Sequence, residues 1–298
     1  MGIGGRAAAA ATATLCVGAA LAGQALAATP AANLFYERAL MTAADQACRL
    51  FAPDVAAALA AAKAQARGAA LRSGADATSL SGLEAQADAA GAAGCRSPGV
   101  LAAAAQVRTA FAGYASLGEM TFPGELSSWT ASRPAGDGWR VVQRDRFGWD
   151  LMLFGLAGHA ADRPLIAAAS FADGAQPYAA RLVVRDASVT SGPYLDQREA
   201  DIAGRLPIDA RLPPRSATRV FAAEAMAPAG VLQARDMPGA VAFRFPAAAT
   251  DALGGLDPRE AVAVEFLIAG ARGESVRTAY VEVGDFAAAR AFQAVAQR

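Results

Sequence analysis

Histidine and lysine are almost missing from this chain of 298 residues: His159 is the only histidine and Lys63 the only lysine. One histidine excludes a multi-histidine metal site, so no metal is expected. His159 lies in Gly158-His159-Ala160-Ala161-Asp162 and reads as a solvent-facing turn residue. A catalytic triad also lacks its anchor, because no G-x-S-x-G elbow occurs. Phosphate-cradling loops are excluded on similar grounds: Gly74, Gly82, Gly91 and Gly94 have neither P-loop spacing nor its lysine. No cofactor is expected. Basic and acidic residues number 27 each, so no positive excess points to nucleic acid. The use of arginine for nearly every cation, beside abundant alanine, reads as GC-rich coding bias rather than specialised anion recognition.

Long apolar runs are equally scarce, and the one present is N-terminal. Arg6 supplies a positive start, Ala7 to Gly23 is apolar, and Ala25-Leu26-Ala27 is a small-x-small cleavage site. Residues 1–27 therefore read as a signal peptide cleaved after Ala27, with export to the periplasm or beyond. Cys16 follows Leu15, too large for the residue expected before a lipidated cysteine. No second run is long enough for a membrane span in the mature chain.

Beyond the leader only Cys48 and Cys95 remain. They lack a C-x-x-C arrangement and a neighbouring histidine that would lower a thiol pKa, so a structural disulfide is expected rather than a reactive pair. They bracket an Ala-rich helical domain, 28–118. Its first helix is expected to be capped by Asn33, with Leu34, Met41, Ala44, Cys48 and Phe51 at helical spacing. Pro53 opens a second helix through Leu71, and a third, weaker one carries Leu80, Leu83 and Ala87. Ser97-Pro98 opens a fourth, with Val100, Ala104, Val107, Phe111 and Tyr114 on its buried side.

The period then changes to two. Short runs at 138–147, 149–157, 164–171, 178–186, 205–212, 218–225, 240–246, 260–269 and 274–284 predict strands of a β-sandwich-like antiparallel domain, 119–298. The Pro-rich stretch 187–216 reads as a long loop or crossover, and helices are expected near 247–255 and from Asp285 to about Ala296. The fold class is α+β. The order strand, loop, strand, strand occurs around 147–186 and again around 240–283, without repeated residue identities.

Pro238-Gly239-Ala240-Val241-Ala242-Phe243, a short helix, the strand Ala261 to Ile268, a hairpin, and Gly284-Asp285-Phe286-Ala287-Ala288-Ala289 with Phe292 resemble the end of the invasion-associated locus B family. Those are exported bacterial envelope proteins with a β-sandwich-like domain. The resemblance implies an envelope protein without a defined catalytic site. The paired cysteines of that family have no counterpart here, where Met237 and Ala240 stand.

Paired carboxylates offer another route to chemistry. In a hairpin turning around Ala271, Glu265 falls opposite Arg277 and Glu282 opposite Glu260. At about 3.4 Å per residue the two glutamates are near 14 Å apart, beyond the roughly 5–9.5 Å of a glycosidase pair. Glu265 then reads as a cross-strand partner of Arg277. Arg140, Arg144 and Arg146 share a strand face, either as an anion-binding site or as a charged solvated face. Trp129, Trp139, Phe147 and Trp149 read as core near the junction of the two domains. These readings favour a non-catalytic envelope protein that binds a partner or ligand. The alternative is a periplasmic hydrolase with a site assembled from scattered Asp, Glu and Ser residues.

Overall fold

The computed structural model describes residues 29–295, apart from 93, 134–137, 159–162, 191, 196, 200–204 and 272. Its N-terminal part holds α1 (Pro30–Cys48), α2 (Pro53–Arg72), α3 (Ala77–Ala92) and α4 (Pro98–Ser116). Three of them start at proline, whose fixed φ and missing N–H suit a first helical position. Thr29, not Asn33, caps α1: its hydroxyl accepts the Ala32 N–H at 3.2 Å. The helix therefore starts earlier; Met41 and Ala44 are buried as their spacing predicts, joined by Phe35 and Ala39, whereas Leu34 is 40% exposed. Arg49 ends α1 in the left-handed region, its N–H returning to the Asp45 carbonyl. Cys48 and Cys95 form the expected disulfide, with Cα atoms 5.4 Å apart. It ties the end of α1 to the turn before α4, where alanine faces bury little area each.

Two antiparallel sheets follow. The larger contains β1 (Glu119–Pro123), β2 (Ser128–Ser132), β3 (Trp139–Phe147), β4 (Asp150–Ala157), β5 (Leu165–Ser170), β8 (Ala225–Pro228) and β9 (Val241–Phe245). Its order is β1-β2-β3-β4-β5-β9-β8. The smaller pairs β11 (Gly273–Glu282), β10 (Ala261–Gly270), β6 (Pro177–Arg185) and β7 (Thr218–Ala222), in that order. Phe154, Phe243, Phe245, Val262, Val264 and Phe266 fill the space between the sheets. The outer side of β4 is also covered, by Ala229, Met237 and Ala240 on Leu151 and Leu153, so every residue of β4 is buried.

Helix α5 (Ala247–Gly254) follows β9, and α6 (Phe286–Ala294) closes the chain. Phe286 and Phe292 of α6 pack on Trp129 and Phe122. The helices join this same core. The Tyr114 ring meets Phe292 edge-on at 5.2 Å, and Arg72 of α2 grips the Asp285 carboxylate with bonds of 2.6 and 2.9 Å. Asp285 consequently makes no side-chain cap on α6. A Cβ on Gly68 would lie 2.0 Å from the Asp285 Oδ1, so α2 approaches α6 only because residue 68 is glycine.

Several expectations change. The run 205–212 is no strand: Asp209–Arg211 is a short 3-10 turn, and Pro207 and Pro213 remove N–H groups a ladder would need. Strands β1, β2 and β8 were not expected from their patterns, being four or five residues long. The two similar-looking β segments differ in topology. The first changes sheets after β5, its second strand, whereas the second changes after β9, its first.

Candidate functional site

The outward face of the four-stranded sheet mixes charged and apolar groups: Glu265 and Arg181 share it with Val183, Val220 and Leu267. Alternation sends Val262, Val264 and Phe266 into the core and Glu265 to the opposite face. Directly across on β6 stands Arg181, which binds Glu265, and Arg215 closes on the same carboxylate from the crossover segment. Glu260, fully buried, accepts Arg185 Nε at 2.5 Å and Nη2 at 3.2 Å, with the Asp257 and Tyr194 N–H groups at 3.0 and 3.2 Å. Arg211, 2% exposed, pairs with Glu125 at 2.8 Å and lies 3.6 Å from Glu282.

Glu282, like Glu260, is fully buried. Its carboxylate accepts the backbone N–H groups of Glu125, Leu126 and Ser127 at 2.6–2.8 Å. It thereby holds the β1–β2 turn from a strand more than 150 positions away. Gly124 leaves room for it, since a Cβ there would lie 2.5 Å from Glu282 Oε2. Glu265 pairs with Thr278 across the hairpin, which places it four positions, about 14 Å, from Glu282. The expected partnership of Glu265 with Arg277 is not formed. The register differs by one residue, so Arg277 faces the other way and binds Asp150 and Asp173.

The second feature is a pocket of about 550 Å³ between α5, α6 and the ends of β4, β5 and β9. Arg163 enters from the β4–β5 connection, Arg244 from β9 and Arg290 from α6. Asp251, bound to Arg290 at 3.0 Å, is the one acid among the described residues that line it. Leu156, Phe245, Ala287 and Ala291 supply apolar wall. Arg163 Nη1 donates to the Gln293 carbonyl and side-chain oxygens at 3.2 and 3.1 Å, while its buried Nε has no partner among the described residues. Burial, with the Arg140 guanidinium nearby, lowers the Arg163 pKa.

The arginines singled out on β3 separate. A register shift between Trp139 and Val141 turns Arg140 inward, where it is 6% exposed and its Nε donates to the Gly158 carbonyl at 3.0 Å. Arg144 binds Asp236 at 2.8 Å and holds that carboxyl below the usual range. Arg146 is exposed on the same side. Trp129 is fully buried and Trp139 partly so, donating to the Val283 and Leu232 carbonyls, but Trp149 at a hairpin tip is 88% exposed. His159 and Asp162 lie outside the described residues. The pocket escaped the sequence reading because its arginines stand at 163, 244 and 290, far apart in the chain and in no motif.

Among the described residues, no group of three or more His, Cys, Asp or Glu side chains is placed to hold a metal ion. No helix there is long and apolar enough to cross a membrane. No family model matches the sequence, and neither a curated protein nor a solved structure matches it significantly.

Proposed function

We propose that this chain is an exported, non-catalytic binding protein of the bacterial envelope, acting in the periplasm or outside the cell. The observation that carries this reading is the commitment of the buried carboxylates. Asp150, Asp257, Glu260, Glu265, Glu282 and Asp285 each accept from an arginine, a backbone N–H or both. Acids held this way are fixed in geometry and brace the fold. A hydrolase would instead need one of them near a substrate with a pKa set for proton transfer. The arginine-lined pocket, by contrast, holds one buried donor, Arg163 Nε, without a partner among the described residues.

Export is supported by the leader and by the Cys48–Cys95 bridge, since disulfides persist in oxidising compartments. A relationship to the invasion-associated locus B proteins belongs to the same reading. Its support is the strand, helix, hairpin, helix order of the last residues.

The test is capture and turnover on one preparation. Immobilised mature chain should retain a component of envelope extract that cytoplasmic extract does not supply. The same chain should leave chromogenic esters, glycosides and phosphate esters unchanged. Hydrolysis of any of them, lost in Glu265→Gln or Glu282→Gln, would overturn the reading.

A further inference from the structure

A sheet edge exposes backbone N–H and C=O groups, and folds ordinarily keep such edges short or interrupt them with proline. The edge strands β1, β7 and β8 follow that rule: each is four or five residues long, and β1 and β8 end at Pro123 and Pro228. The remaining edge, β11, does not. It is ten residues long and stands at the margin of the four-stranded sheet. Gly270 and Gly273 close the β10–β11 hairpin and so form a hydrogen-bonded pair. Alternation then directs the N–H and C=O groups of Glu274, Val276, Thr278, Tyr280 and Glu282 away from β10. The Gln143 side chain agrees with this pattern, since its amide closes both groups of Glu282 at 3.2 Å. From Glu274 to Tyr280 no such cap exists among the described residues.

The inner side of this edge carries an acid. Strand β3 runs beside β11, from Gln143 at Glu282 to the hairpin tip where Asp150 binds Arg277 at 2.9 Å. Asp145 lies between these points, on the same face of β3 as Gln143. It is half-buried, and among the described residues its carboxylate accepts only the Arg146 N–H, at 2.9 Å. Burial pushes its pKa up.

We propose that the edge of β11 binds an extended peptide segment as an added antiparallel strand, with a lysine or arginine of that segment meeting Asp145. The partner is then a protein with an exposed basic strand or tail, an assignment that rests on the binding reading above. Main-chain bonds along 274–280 supply affinity, and the charge at Asp145 supplies choice. Val276, 43% exposed, and Trp149, 88% exposed at the β3–β4 tip, add apolar contact at the end of the edge away from Gln143.

The probe is a heptapeptide, blocked at both ends, of alternating threonine and valine with lysine at its centre. Titrated calorimetrically against the mature chain, it should bind at one site. Versions with central serine or glutamate should bind roughly tenfold or more weakly, the loss expected for a charged hydrogen bond. Asp145→Asn should erase that preference. Val276→Pro, which removes an outward N–H and no bond to β10, should weaken every peptide. Antiparallel addition also places the N–H groups that meet β11 on residues whose side chains point to solvent. Methylating the backbone nitrogens on either side of the lysine should therefore abolish binding, while methylating the lysine's own backbone nitrogen should not. That comparison needs no variant to fold.

Four results overturn the proposal: no binding of the lysine peptide, equal binding of the three peptides, a preference that survives Asp145→Asn, or the reverse methylation pattern. So does a dimer of the chain that Val276→Pro dissociates, since a second copy would then hold the edge. If the proposal fails while the immobilised chain still captures its envelope component, the site is wrong and the binding reading stands. If capture fails too, both are wrong.

Discussion

Replacing Glu282 by alanine should be among the most damaging single changes outside the aromatic core. The side chain is fully buried, yet it sits in a cup of donors rather than among apolar groups. It accepts from Glu125, Leu126 and Ser127 N–H at 2.6–2.8 Å, from Ser127 Oγ at 3.2 Å, and faces Arg211 at 3.6 Å. Removing one partner of a buried charge pair costs about 3–5 kcal/mol. The turn is partly open to water and Arg211 keeps Glu125, so the lower half of that range applies. A loss of about 3 kcal/mol lowers the melting temperature of a chain of this size by roughly 10 °C. Glu125→Ala is the control. It removes the closer partner of Arg211, but its side chain is 34% exposed, so screening limits the expected cost to about 1 kcal/mol or less. Chemical denaturation of wild type and both variants, read by far-UV circular dichroism, decides between them. Equal midpoints for Glu282→Ala and wild type, or for the two variants, would refute the claim that this carboxylate braces the β1–β2 turn.

Other perturbations test other joints. Cys48→Ala opens a loop spanning 47 positions, worth about 4 kcal/mol in the chain-entropy model, so both it and added reductant should lower the melting temperature by roughly 10 °C. Gly68→Ala would add about 1 kcal/mol of helix propensity at an open site, but here the Cβ meets Asp285 at 2.0 Å; melting should fall, and a rise would show that α2 and α6 are not in contact. Asp173 is held at a pKa of about 2 by its bond to Arg277. Its depressed value means that the stability it contributes is present above the ordinary carboxylate range and lost as pH falls through about 2. An NMR titration should place the Asp173 carboxyl there and return it to the ordinary range in Arg277→Gln.

Much of the architecture was legible because its signals are local. Pro53 and Pro98 mark two helix starts, although the first helix begins at Pro30 and not after Asn33, and the change from helical to alternating period separates the helices from the sheets. What escaped depends on distant partners. The turn between β1 and β2 is shaped by Glu282, so nothing in its own sequence announces the strands beside it. Leu206, Ile208, Ala210 and Leu212 alternate as a strand would. Instead, Leu206 lends its carbonyl to Arg211, and that segment lies against β10. In the final hairpin a register one residue away from the expected one sends Arg277 to the opposite face, from Glu265 to Asp150 and Asp173. Hairpin patterning fixes that two strands pair long before it fixes which side chains meet.

Electrostatics followed the same division. The arginines of β3 look like a site in sequence because they are adjacent, yet Arg140 turns inward at a bulge and Arg144 is taken by Asp236. Arg163, Arg244 and Arg290 look unrelated in sequence and share one pocket. Adjacency along a strand predicts a shared face only while the ladder stays regular.

Export underlies everything proposed for this chain, and the intact mass of the protein recovered from the envelope fraction of its native host tests it most directly. The reading predicts a mass that begins at Ala28 and is lower by two hydrogens than the reduced chain, with no thiol titrating until reductant is added. A protein found in the cytoplasm with Met1 retained and Cys48 and Cys95 both free would contradict it.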